Sequence, residues 1–309
     1  MKDLSKVSVR QVEIGSETSG QRVDNFLLRE CKGVPKSHIY RILRSGEVRV
    51  NSGRVDATYK LQEGDRVRIP PLRLGIKTAA PKAPKIDLPL VYEDEGLIAA
   101  NKPAGLAVHG GSGISHGVIE QLRAARPTAK FLELVHRLDR DTSGLLLLAK
   151  KRAVLVAMHE LIREGQMDKR YLVLVHGQWA PGKQHVKLKL QRYVTGAGER
   201  RVSVDDEGKE SHTVFDLVRT CGDYSLLQAQ LKTGRTHQIR VHLAHLGFPI
   251  VGDDKYGDFE LNKRLAKQGM KRMFLHAWKL AFVHPLSGDT LKLEAPLPPE
   301  LENFISTLT

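Results

Sequence analysis

The densest run of residues able to do chemistry is His136-Arg137-Leu138-Asp139-Arg140-Asp141-Thr142-Ser143-Gly144, set between the apolar runs LELV and LLLLAK. A polar loop clamped between buried strands is where a rigid scaffold usually presents reactive groups. Arg137 and Arg140 flank Asp139, and nearby cations favour the charged form of an acid, so this carboxylate is placed to act as a nucleophile. The plain alternative is a surface turn in which Asp and Arg pair with each other. A kinase catalytic loop would need a downstream Asn, a Gly-rich loop and an Asp-Phe-Gly triplet, which the chain lacks. An aspartic-protease site would need two equivalent carboxylates, whereas Asp141-Thr142-Ser143-Gly144 occurs once and without the compact Asp-Thr-Gly form.

A second cluster is Lys232-Thr233-Gly234-Arg235-Thr236-His237-Gln238-Ile239-Arg240-Val241-His242-Leu243-Ala244-His245. Thr236 is the expected cap of a helix running to Leu246 and ending at Gly247. That would set Arg235 just before a positive helix terminus, where it could hold an anion or orient a carboxylate. His237, His242 and His245 do not have the His-Glu-x-x-His spacing of a zinc site, and no carboxylate lies among them, so packing or RNA contact is the expected role. Gly110-Gly111-Ser112-Gly113 is followed by no Gly-Lys-Ser/Thr and reads as a loop rather than a phosphate cradle. Tyr171 opens an apolar strand, where a half-buried aromatic is the ordinary expectation.

The elements that must position these groups form two regions. Between Ile69 and Pro89 the sequence IPPLRLGIKTAAPKAPKIDLP has five prolines and no periodicity, and reads as a linker. Before it, Gln21 to Arg29 has apolar residues at helical spacing, and Ser37 is the expected cap of a second helix ending near Gly46. Glu47 to Asn51 alternates as a strand, Asn51-Ser52-Gly53 is a turn, and Leu61-x-x-Gly64-Asp65-x-Val67-x-Ile69 enters another short strand. After the linker, strands are expected at Val91–Asn101, Leu132–Leu138, Leu145–Lys150, Arg170–Val175, His185–Gln191, Tyr224–Leu231 and Phe274–Val283. Helices are expected at Ser115–Ala125, Arg152–Arg163 and Thr236–Leu246. Strand often follows strand, which favours a mixed, mainly antiparallel α+β domain over a doubly wound one.

The chain has 309 residues, 41% hydrophobic and 27% charged, the proportions of an ordinary globular protein, so global disorder is excluded. No apolar run approaches the ~18 residues of a membrane span, and Met1-Lys2-Asp3-Leu4-Ser5-Lys6 leads into no signal-like core, so a cytosolic protein is expected. Cys31 and Cys221 are too far apart for a Cys-x-x-Cys pair, which leaves them as small apolar residues. The formal charge of +14 is concentrated: residues 1–85 hold 18 Lys+Arg against 9 Asp+Glu. Such a field points to a polyanion. An anionic membrane would call for an amphipathic helix with a bulky apolar face, and none is evident, so nucleic acid is the expected partner.

Taken together, HRLDRDTSG, the downstream KRYLVLVHG and LKTGRTHQIRVHLAHLGFPIVGDDKYG resemble the three signature segments of the RluA-type pseudouridine synthases. The segment QRVDNFLL with KSHIYRILRSGEVRVN and L-x-x-GD-x-V resembles the α-L RNA-binding domain also found in a small-subunit ribosomal protein. The resemblance covers nearly the whole chain and implies an α+β architecture: an α-L RNA-binding domain over residues 16–70, a Pro/Lys/Ala-rich linker over 71–88, and a mixed, mainly antiparallel-sheet catalytic domain over 89–309.

It also implies a mechanism. Asp139 would form a covalent adduct with a uridine, or assist its detachment, so that the uracil swivels and rejoins the ribose through carbon 5, with no cofactor and no metal. Arg235 would pair with Asp139. Tyr171 would stack on the base and help remove the carbon 5 proton. Arg137, expected on a strand face shared with Asp139, would fill the gap left by the flipped nucleotide. Arg140 would contact RNA, and Leu275 would pack on the pyrimidine unless it is a plain core leucine. Arg22, Lys36, Ser37, Arg41 and Arg44 would bind RNA from the first domain. The implied partner is 23S rRNA of the large subunit, or an assembly intermediate, met by a monomer away from any membrane. Alternatives are a synthase with another rRNA or tRNA target, a non-catalytic ribosome-associated binder, and a metal-dependent RNA hydrolase.

Overall fold

The computed structural model describes residues 8–31, 33–72, 83–111, 114–180 and 182–308. The chain divides into two compact units, Met1–Lys82 and Ala83–Thr309. In the first, strand β1 (Arg10–Glu13) precedes helices α1 (Val23–Glu30) and α2 (Lys36–Arg44), followed by strands β2 (Arg49–Val50) and β3 (Arg66–Ile69). Pro35, not Ser37, caps α2: its extended ψ of 141° turns the chain into the helix before the expected cap could act. Gly46 closes α2 at φ 73°, with the N–H groups of Gly46 and Glu47 donating back to Leu43 and Ile42, a Schellman motif. The strands form an antiparallel sheet in the order β1-β3-β2. Asn51 and Ser52 both take positive φ between Val50 and Gly53, the geometry of a type I′ turn. Phe26, Leu27, Ile39, Ile42, Val48 and Val67 are buried between helices and sheet.

The expected linker falls partly on residues 73–82, outside the described residues; residues 83–89 have no regular structure. The second unit then runs through β4 (Leu90–Glu93), β5 (Leu97–Lys102), α3 (Val118–Ala125), β6 (Glu133–Leu134), β7 (Ser143–Ala149) and α4 (Arg152–Arg163). It continues with β8 (Asp168–His176), β9 (Gln184–Val194), β10 (Arg200–Val204), β11 (Lys209–Cys221), β12 (Tyr224–Leu231) and α5 (Gln238–His245). The last elements are α6 (Phe259–Lys267), β13 (Leu275–Val283), β14 (Thr290–Glu294) and α7 (Pro299–Ser306). The strands form one sheet in the order β10-β9-β11-β12-β8-β13-β7-β5-β4, with β14 on β13 and β6 on β7. The β13–β7 pair is parallel and the other pairs are antiparallel.

Strand β7 explains the LLLLAK run. It lies between β5 and β13 with all seven residues buried, Leu146 and Leu148 in one apolar cluster and Leu145 and Leu147 in another. A strand covered on both faces loses the polar–apolar alternation of a half-exposed one. At its start Gly144 has φ 106°, and a Cβ there would lie 2.2 Å from the Ala277 carbonyl oxygen of β13. Only glycine permits that approach.

The structure shortens or splits several expected elements. Val91–Asn101 is two strands, because Asp94 Oδ1 accepts the N–H groups of Gly96 (2.7 Å) and Leu97 (2.6 Å) and turns the chain. The expected strand Leu132–Leu138 keeps its ladder only at Glu133 and Leu134, with one further bond from Val135 N–H to Leu147 O. Strands β10, β11 and β14 and helices α6 and α7 add to the elements expected from the sequence. Cys31 and Cys221 are free and buried. Ser112 and Gly113 of the expected glycine loop lie outside the described residues.

Candidate active site

Asp139 sits in the loop between β6 and β7, which closes with a hydrogen bond from Thr142 N–H to the Asp139 carbonyl (3.2 Å). Its side chain is 24% exposed and faces a cavity of about 370 Å³. Tyr171 on β8 and Leu275 on β13 line the same cavity, because those strands are neighbours of each other and β13 pairs with β7 where the loop re-enters the sheet. Tyr171 is buried, and burial pushes its phenol above the usual tyrosine range, with the Asp139 charge adding to the effect. It stays protonated at neutral pH. Leu275 belongs to the main apolar cluster and also to the cavity wall, so the two readings of this residue are compatible.

Asp139 is held by Arg240, not by Arg235. Arg240 Nη1 lies 3.3 Å from Asp139 Oδ2, while its Nε and Nη2 donate to Asp253 at 2.7 and 2.6 Å. Arg235 instead donates from Nε to the Glu210 carbonyl (2.9 Å), although it lines the same cavity. The cause is local backbone. Helix α5 begins at Gln238, and the residue before it, His237, is left-handed at φ 52°, a conformation costing roughly 1 kcal/mol or more for a residue with a Cβ. Thr236 therefore does not cap the helix. The Gln238 amide ties the turn together instead, its Oε1 accepting from Thr233 Oγ1 and Arg235 N–H and its Nε2 donating to His212 O and Thr213 Oγ1.

Burial opposes the charge on Arg240, but the bonds to Asp253 and the Asp139 charge outweigh it and raise its pKa. Asp253 is likewise resisted by burial, yet Arg240 and the N–H groups of Lys255 and Tyr256 keep it ionised below the usual carboxylate range. His237 contributes a further group: its Nε2 is 3.8 Å from Asp139 Oδ2 and its Nδ1 2.8 Å from the Tyr256 hydroxyl. His242 is buried with Nε2 2.7 Å from Ser211 Oγ.

The remaining expected residues divide. Arg137 is exposed at the cavity, but on the loop between β6 and β7 rather than a strand, so the shared-face argument does not place it there. Arg140 turns to Asp141 (3.2 Å), and the two line a separate cavity of about 800 Å³ that does not include Asp139. In the first unit Lys36, Ser37, Arg41 and Arg44 are exposed on α2, opposite the buried Ile39, Ile42 and Leu43. Arg41 contacts Glu47 (3.4 Å), and Arg22 is tied to Asp24 at 2.6 Å.

Residues 96–245 match the RNA pseudouridylate synthase family and residues 21–67 match the S4 domain. The chain is 50% identical over 307 residues to the ribosomal large subunit pseudouridine synthase C of Pasteurella multocida, covering 97% of this chain and 94% of that one. It is 49% identical over 309 residues, 97% of each chain, to the protein of the same name from Escherichia coli. The chain belongs to the RNA pseudouridylate synthase family. Human RNA Pseudouridylate Synthase Domain Containing 1 superposes with a TM-score of 0.58 at 25% identity, over 72% of this chain and 94% of that one. Human RNA Pseudouridylate Synthase Domain Containing 4 gives 0.59 at 24% identity, over 71% and 92%, a likeness of fold.

In this pseudouridylate synthase, sequence reasoning missed Arg240 and His237 as neighbours of Asp139, and Asp253 and Tyr256 as the groups that hold those two. The string GDDKYG carried a signal for two of them: adjacent carboxylates beside an aromatic, downstream of a helix bearing a buried arginine. Nothing in the spacing separates Arg240 from Arg235, because the left-handed turn at His237 decides which guanidinium reaches the loop.

Proposed function

We propose that this chain isomerises specific uridines to pseudouridine in the RNA of the large ribosomal subunit, with Asp139 as the reacting carboxylate. The observation that carries the reading is a single carboxylate, aimed by a buried arginine into a cavity sized for one nucleoside and walled by Tyr171 and Leu275. A flipped uridine enters. The bond from the ring nitrogen to the ribose breaks with help from Asp139, the uracil turns, and carbon 5 bonds to the ribose. One proton leaves carbon 5 and one ends on the freed ring nitrogen, so the reaction consumes no reagent. Tyr171 gives the base a stacking face. Its phenol, held protonated by burial, takes a proton only as it passes its own to Asp139.

Arg137, exposed at the cavity, occupies the space left in the RNA stack, and Arg235 holds the backbone nearby. Residues 16–70 grip the RNA through Arg22, Lys36, Ser37, Arg41 and Arg44, residues 71–88 link, and residues 89–309 catalyse. The protein acts in the cytoplasm as a monomer, on rRNA or an assembly intermediate. The large-subunit target is supported by similarity to relatives of that name across 97% of the chain. The test is a pseudouridine map of large-subunit RNA from cells lacking this protein. One or more sites should disappear and return on complementation; an unchanged map refutes the target.

A further inference from the structure

We propose that His237 is a positioning residue which, as a neutral imidazole with its proton on Nε2, helps hold one oxygen of the Asp139 carboxylate and leaves the other free to meet the substrate. The proposal rests on the reading of Asp139 as the reacting group. The left-handed backbone at His237 aims its ring between Tyr256 and Asp139. Tyr256 Oη accepts the Val202 N–H at 2.9 Å, so its own proton is available to His237 Nδ1, 2.8 Å away. Burial pushes the Tyr256 phenol up to about 12, so it remains a donor. With Nδ1 accepting, the ring proton belongs on Nε2.

That Nε2 lies 3.8 Å from Asp139 Oδ2, the same oxygen that Arg240 Nη1 reaches at 3.3 Å. Among the described residues, Oδ1 accepts no hydrogen bond. Arg240 therefore bonds one oxygen, the His237 ring faces that same oxygen from just beyond hydrogen-bond distance, and the other is left for the reacting nucleoside. Both are set by one short loop: Asp253 grips Arg240, and Tyr256 sets His237 while its ring lies 5.1 Å from the Arg240 guanidinium carbon. A hydrogen-bond partner that fixes an imidazole's tautomer commonly tunes the group the ring faces.

The charged and titratable groups facing His237 are Asp139, Arg240, Lys255, Asp253 and Tyr256. Burial lowers its pKa, Arg240 and Lys255 lower it further, and Asp139 and Asp253 oppose them. A hydrogen bond donated to Nδ1 stabilises the neutral ring, so removing the Tyr256 hydroxyl must raise the pH at which His237 takes a proton. An imidazolium there would set a second full positive charge against Asp139 and weaken it as a nucleophile.

The test uses the full-length protein labelled with nitrogen-15, reading ring tautomers by two-bond proton–nitrogen correlation, with His237→Gln assigning the signal. The wild-type ring should be neutral and Nε2-protonated at pH 7.5. In Tyr256→Phe the protonation midpoint should rise by about half a unit or more, and the acid limb of the single-turnover rate should move up with it. His237→Ala should slow turnover about tenfold at unchanged RNA KM, with His237→Gln, which keeps a side-chain N–H donor, recovering part of the rate. A wild-type ring protonated on Nδ1, or a Tyr256→Phe midpoint and rate profile unchanged from wild type, overturns the proposal. Full activity in Asp139→Asn would instead overturn the reading beneath it, with the tautomer unaffected.

Discussion

Arg240 serves three carboxylates at once, bidentate to the buried Asp253 and singly to Asp139 and Asp254. Removing its charge altogether would strand Asp253 at a cost of about 3–5 kcal/mol, so the informative change is Arg240→Lys, which keeps a charge and loses the fork. That variant should lose about 100-fold or more in single-turnover rate, because a lysine cannot satisfy Asp253 and aim Asp139 together. Arg235→Ala should lose less than about tenfold, since its Nε bonds a backbone carbonyl and not Asp139. Equal losses in the two would return the aiming role to Arg235. That Asp139, Tyr171 and Leu275 share one cavity was legible in the sequence, because motif strings locate residues along the chain. Which of two arginines five residues apart reaches Asp139 was not, since one backbone torsion at His237 decides it.

The loop that carries Asp139 hangs from β7, the strand whose covering on both faces fixes where the loop stops. Gly144→Ala should shift the urea midpoint by an amount equivalent to at least about 2 kcal/mol, because the new Cβ meets the Ala277 carbonyl at 2.2 Å in a positive-φ conformation. A midpoint within about 0.5 kcal/mol of wild type would show that β7 and β13 can separate freely. Elements with strong apolar periodicity were legible: α4 spans Arg152–Arg163 and β12 spans Tyr224–Leu231, as their patterns require. Strand β11 was not, because its thirteen residues KESHTVFDLVRTC alternate poorly, with Leu217 and Val218 both exposed beside a bulge. There the pairing of β11 with β9 and β12, a non-local choice, overrides the local pattern.

Across the molecule, charge and chemistry lie in different units: the excess of 18 basic over 9 acidic residues falls within residues 1–85, while Asp139 and its partners belong to Ala83–Thr309. Replacing the exposed Lys36, Arg41 and Arg44 by Gln together should weaken RNA binding and reduce the salt slope by about 0.7–0.9 for each phosphate that is no longer neutralised, leaving turnover at saturating RNA unchanged. An unchanged slope would mean that the α2 charges face solvent and not RNA. Whether one carboxylate performs the isomerisation is decided by incubating purified Asp139→Asn with large-subunit RNA and counting pseudouridine after chemical derivatisation. RNA affinity should stay close to wild type and no pseudouridine should form, because the amide keeps the shape and loses the nucleophile. Conversion at the wild-type rate, with deamidation excluded by mass spectrometry, would contradict the assignment of Asp139 as the reacting group.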